Sequence, residues 1–140
     1  MTGGFRAEAR QVARRLRLPA HARCSQCGQE AELVYRRRPL LCADCHASAR
    51  GRSVIEAQHP LGIANDPATI PLRASAHRYF TARQHGWNQD TLKNPRGCRR
   101  LRDAAALLAL ADINAFLVDR IALPKARELE RRHAGGCGHA

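Results

Sequence analysis

Long apolar runs, aromatic side chains and lysine are scarce in this chain. The longest apolar stretch, "AAALLALA" at 104–111, is closed by Asp103 and Asp112. It falls well short of the roughly 20 residues that span a bilayer, so a membrane role is not expected. The first 18 residues, "MTGGFRAEARQVARRLRL", are punctuated by Arg and lack the apolar core of a secretion signal. The expected setting is the cytoplasm, where paired cysteines favour metal over disulfides. Only 6 of the 140 residues are aromatic, so the core must come mainly from Ala, Leu, Val and Ile. A core that light argues for reinforcement by a bound metal. Of the 24 basic residues, only Lys93 and Lys125 are lysine and the other 22 are arginine.

That arginine excess sets the partner class. The formal net charge is +12. The first 100 residues hold 18 basic against 7 acidic side chains, and the remainder 6 against 5. Arginine presents a planar fork that matches phosphate and guanine. The expected partner is therefore a polyanion, nucleic acid and in first place DNA. A solvated basic surface is the plainer alternative.

Four segments follow along the chain. Residues 1–20 read as a basic amphipathic helix, with Phe5, Ala9, Val12, Ala13 and Leu16 on one face and Pro19 as the stop. Residues 21–52 contain Cys24-x2-Cys27 and Cys42-x2-Cys45, separated by 14 residues. Two such knuckles place four thiolates around one tetrahedral Zn²⁺. Four cysteines leave no open coordination position, so the metal is expected to be structural. The module reads as a zinc ribbon or a treble-clef-like knuckle pair. Arg36, Arg37 and Arg38 at its tip are candidates for phosphate contact, with a solvated hairpin tip as the alternative.

Residues 53–97 change character. "SVIEAQ" at 53–58 reads as a short strand, 59–69 as a loop with Asn-Asp-Pro turn chemistry, and "IPL" at 70–72 as a second strand. "ASAHRYFTARQH" at 74–85 reads as a helix stopped by Gly86. His59 closes the first strand and His77 opens the helix. Residues 98–140 read as a helical cap and tail, with a break at Pro124. Within the cap, Leu101, Leu108, Phe116, Leu117 and Ile121 are the expected buried set. Trp87 is expected to anchor the connector. The fold class expected overall is α+β.

The phrases "EAQH", "NDPATIPL" and "SAH" resemble the HNH, or ββα-metal, nuclease motif over residues 53–85. The resemblance implies metal-dependent endonuclease activity on DNA, with His59 as the general base and His77 as a metal ligand on the helix. It implies Mg²⁺ or another divalent cation at the His59/His77 site. Family members usually carry His or Asp immediately before the base as a further ligand, where this chain has Gln58; Glu56 lies on the same strand face, and the two are the remaining candidate ligands of the catalytic metal. Asn65 is the loop residue that could orient the base, and Thr81 stands where a further helix ligand falls. The chemistry is coherent without the name, since phosphodiester cleavage needs a base that works near neutrality and histidine supplies one. Arg73 and Arg78 join the candidate nucleic-acid contacts. The alternative reading is a non-catalytic zinc protein that binds nucleic acid on a nuclease-like scaffold, and a third is a basic module for an acidic protein partner.

Overall fold

The structure is a computed structural model of the chain, and it describes residues 18–19, 21–30, 32–34 and 38–134. The basic helix expected at 1–20 and the tail at 135–140 lie outside the described residues, apart from Leu18 and Pro19, as do Arg36, Arg37 and Cys137. The element order is α1 (Ala43–Ala49), β1 (Ile55–Gln58), β2 (Ile70–Arg73), α2 (Ala74–Gln84), α3 (Gln89–Lys93) and α4 (Arg99–Leu117). A π-helical turn (Val118–Ala122) and α5 (Leu123–Ala134) complete it. The fold class is α+β. No helix among the described residues is long and apolar enough to cross a membrane.

The chain divides into two compact units, Met1–Ala109 and Leu110–Ala140. In the first, β1 and β2 pair antiparallel, with Ile55 opposite Arg73 and Gln58 opposite Ile70. Pro71 sits on a two-stranded ribbon, where its missing N–H costs least. Helix α2 follows β2 without a loop, so hairpin and helix form one continuous clamp.

The core is built from small residues, as the aromatic scarcity requires. Ala43, Ala47 and Ala74 are buried together, with Val54 packed against them. Trp87 is buried against Ala105 and Ala109 of α4, with Leu61, Leu92 and Leu108 around it. The two alanines sit one turn apart and leave room for the indole. Leu117 and Ile121, expected in the core, are instead 47% and 55% exposed.

In the second unit the helical path changes hydrogen-bonding pitch before Pro124. The Leu123 N–H bonds back to the Val118 carbonyl, five residues earlier. Proline has no N–H for the usual bond, and its ring crowds the carbonyl of the preceding turn. A wide turn absorbs that crowding and the helix continues through the proline. The break expected from sequence is thus a change of pitch.

Candidate functional site

Two constellations stand out, a sulfur cluster and a histidine cleft. The sulfur atoms of Cys24, Cys27, Cys42 and Cys45 all lie within 4.8 Å of one another. Local structure explains why. The Gly28 N–H bonds the Cys24 carbonyl at 2.9 Å, and Gly28 takes φ +76°, closing the first knuckle. Leu33 and Cys42 form an isolated antiparallel bridge that returns the chain. Cys42 then caps α1, its sulfur accepting from the Cys45 N–H at 3.5 Å. The second pair is therefore carried on a helix start.

The spacing suits a metal. Cys27 and Cys42 sulfurs are 3.7 Å apart, and a tetrahedron of Zn–S bonds about 2.3 Å long has an edge of about 3.8 Å. Burial pushes the Cys45 thiol up, and the neighbouring cysteines add to the rise. Burial raises Cys42 as well. Burial also opposes ionisation at Cys24, but N–H groups of Cys42, Cys27 and Gln26 outweigh it and bring its pKa down to about 6. The Cys24 thiolate forms readily, while Cys42 and Cys45 resist. A central cation removes that conflict, so the four cysteines can hold a metal ion such as zinc.

Asp44, inside the second knuckle, connects this cluster to the hairpin. Its carboxylate accepts from Arg73 Nε at 2.7 Å and from the Ser75 N–H at 2.8 Å. Ser75 lies in the first turn of α2, so Asp44 satisfies a helix-start donor from a distance. Burial raises its pKa, but the Arg73 guanidinium and the Ser75 N–H outweigh this and hold the carboxyl below the usual carboxylate range. Arg73, a candidate nucleic-acid contact, thus has a structural partner. Arg38 and Arg78 are exposed.

The cleft, about 450 Å³ in volume, lies between the 59–64 loop and α2 and α3. His59, His77, His85 and Lys93 line it, together with Gln58, Thr81 and Gln84. Two periodicities make this face. Glu56 and Gln58 alternate onto one side of β1, while His77, Thr81 and Gln84 recur at i, i+4 and i+7 along α2. Glu56 meets His77, with Oε2 2.9 Å from Nδ1. Nδ1 is therefore the donor, which leaves Nε2 as the chemically available nitrogen. Gln58, only 3% exposed, meets the other two. Its amide donates to Gln84 Oε1 at 3.0 Å and to the His59 carbonyl at 3.2 Å, and it accepts from Thr81 at 3.4 Å. Gln84 in turn donates to the carbonyls of His59 at 2.6 Å and Pro60 at 2.9 Å. The two glutamines thereby fix the backbone that carries His59. The Nδ1 atom of His59 is itself buried with no hydrogen-bond partner.

The structure brings His59 and His77 to one cleft and places Glu56 against His77. It places Asn65 elsewhere. The Asn65 amide donates to the carbonyls of Leu61 at 2.9 Å and Thr91 at 2.8 Å, and its oxygen accepts from Asn94 at 2.9 Å. Asn65 pins the 59–65 loop to α3, and its amide hydrogens are committed to the Leu61 and Thr91 carbonyls. Sequence reasoning missed Gln84, His85, Lys93 and Asp44. Gln84 was findable by helical spacing from His77, and Asp44 by its place between two ligand cysteines. Lys93 had no such signal, because α3 is brought to the cleft by the Asn65 and Trp87 contacts. Comparison with protein-family models, with curated proteins and with solved structures returns no match to this chain.

Proposed function

We propose that the chain is a zinc-stapled protein that cleaves phosphodiester bonds in nucleic acid, with an HNH-like ββα unit and His59 as the general base. The observation that carries this reading is the convergence of His59 and His77 on one cleft, with Glu56 behind His77. A strand-end histidine facing a helix histidine is the minimum for moving a proton on and off a phosphodiester. The net charge of +12 draws a polyanion toward it. The four cysteines hold structural Zn²⁺ in a treble-clef-like arrangement, since one pair is a knuckle and the other opens a helix.

The divalent cation implied by the HNH resemblance does not fit these residues. Gln58 occupies the position before the base, and its amide is committed to Gln84, Thr81 and the His59 carbonyl. Among the described residues no carboxylate lines the cleft, and Glu56 Oε2 is engaged by His77 Nδ1. Hard cations require several oxygen donors. Among the described residues, only the cysteines form a group of three or more metal-ligating side chains.

The second reading, a non-catalytic nucleic-acid binder, draws on that same neutral glutamine network. Cleavage of labelled DNA and RNA by the wild type and by His59→Ala separates the two. Loss of cleavage in the variant supports the nuclease. Equal cleavage by both removes His59 from the chemistry. Salt-sensitive binding without cleavage favours the binder.

A further inference from the structure

The chemistry left to the cleft is acid–base chemistry without a hard cation. Three imidazoles, an ammonium and two neutral amides line it, and among the described residues no carboxylate does. Hydrolysis of DNA by an external water is very slow without a cation to offset charge on the phosphate and leaving oxygen. RNA differs because it carries its own nucleophile. A well-placed internal hydroxyl has an effective concentration on the order of 10⁵ M or more, and the 2′-OH stands next to the phosphorus it attacks. Such a reaction needs a base, an acid and a positive charge, which are the groups this cleft presents.

We propose that the His59/His77/Lys93 cleft cleaves RNA by internal transesterification without a divalent cation. This rests on reading the cleft as a nuclease site. His59 takes the proton from the 2′-OH as the 2′-oxygen bonds to phosphorus. The P–O5′ bond breaks, and protonated His77 gives its Nε2 proton to the departing 5′-oxygen. The products are a 2′,3′-cyclic phosphate and a free 5′-OH, with His59 protonated and His77 neutral. Exchange with water resets both rings. Lys93 offsets charge on the phosphoryl oxygens. Glu56 is a positioning residue: its Oε2 accepts a hydrogen bond from His77 Nδ1–H, 2.9 Å between the heavy atoms, and so aims Nε2 as the donor. The bond from Gln84 to the His59 carbonyl holds the base in place.

The test uses the full-length zinc-loaded protein in buffer stripped of divalent cations on a chelating resin. A strong soluble chelator is avoided so that the cysteine site keeps its metal, and zinc content is measured after each assay. The substrates are an end-labelled RNA oligonucleotide, the same sequence as DNA, and an RNA fully 2′-O-methylated. The expected result is cleavage of RNA alone, with 2′,3′-cyclic phosphate ends and a bell-shaped pH–rate profile. His59→Ala and His77→Ala, purified identically, should each lower the rate by roughly 10²–10⁴-fold. Glu56→Gln should reshape the acid-dependent limb of the profile more than it lowers binding. Cleavage of the 2′-O-methyl RNA, or of DNA only when Mg²⁺ is added, overturns the transesterification and leaves the nuclease reading standing. No cleavage of any substrate with or without Mg²⁺, by protein that retains its zinc, overturns both.

Discussion

Substituting Asp44 tests whether one carboxylate joins the cysteine module to the hairpin-helix unit. In Asp44→Asn the remaining carbonyl can still accept from the Ser75 N–H, but the new amide meets Arg73 Nε donor to donor. The lost bond is charge-assisted and 2.7 Å long. Such bonds contribute about 1.5–3 kcal/mol, and the Arg73 side chain is 63% exposed, so water competes and the low end applies. The Ser75 bond loses its charge but survives, a further change of about 0.5 kcal/mol. The expected destabilisation is about 2 kcal/mol. For a cooperative unit of this size, that lowers Tm by roughly 7–9 °C. Asp44→Ala removes both bonds and should cost about 3 kcal/mol. Urea unfolding of zinc-loaded protein, run as a double-mutant cycle with Arg73→Gln, reads the coupling. A favourable coupling between Asp44 and Arg73 is expected. A loss below about 0.5 kcal/mol for Asp44→Asn, the level of an ordinary surface change, would refute the clasp.

Four further outcomes are expected. Metal analysis should give one zinc per chain, and Cys24→Ser should lose stoichiometric metal; unchanged content would refute the four-sulfur site. Asn65→Ala should destabilise by about 2 kcal/mol, because it strands the buried Thr91 carbonyl and the part-buried Leu61 carbonyl, and denaturant melts read this directly. Gln84→Ala should leave the His59 carbonyl held only by the longer Gln58 bond and reduce cleavage more than it reduces nucleic-acid binding, which a comparison of kcat with Kd resolves. Gly62→Ala should destabilise by about 1–2 kcal/mol in thermal melts, because Gly62 holds φ +82° and a Cβ there would meet Leu92 at 3.1 Å.

The elements nearest the cleft were legible because their signals are local. Strand alternation and turn residues placed β1 and β2 within two residues of their observed ends, and Gly86 marked the stop after α2. The sulfur cluster was legible because two C-x2-C pairs leave few other uses for four thiols. What escaped was long-range. Asn65 looks like a loop residue near a base, and only the arrival of α3 shows that its amide serves Leu61, Thr91 and Asn94. Gln58 reads as a weak ligand, but its partner Gln84 is 26 residues away. Asp44 and Ser75 are 31 residues apart. Leu117 and Ile121 share a helical face with buried neighbours, yet Ala105 and Ala109 rather than large side chains receive Trp87.

The central claim is that His59 and His77 act as one unit. Cleavage rates of His59→Ala, His77→Ala and the double variant, measured on the same RNA under the same divalent-free conditions, test it most directly. Groups that serve one transition state are strongly non-additive when removed. The account predicts that the double variant is no slower than the slower single variant. Losses that multiply, or a His77→Ala variant as fast as wild type, would contradict it.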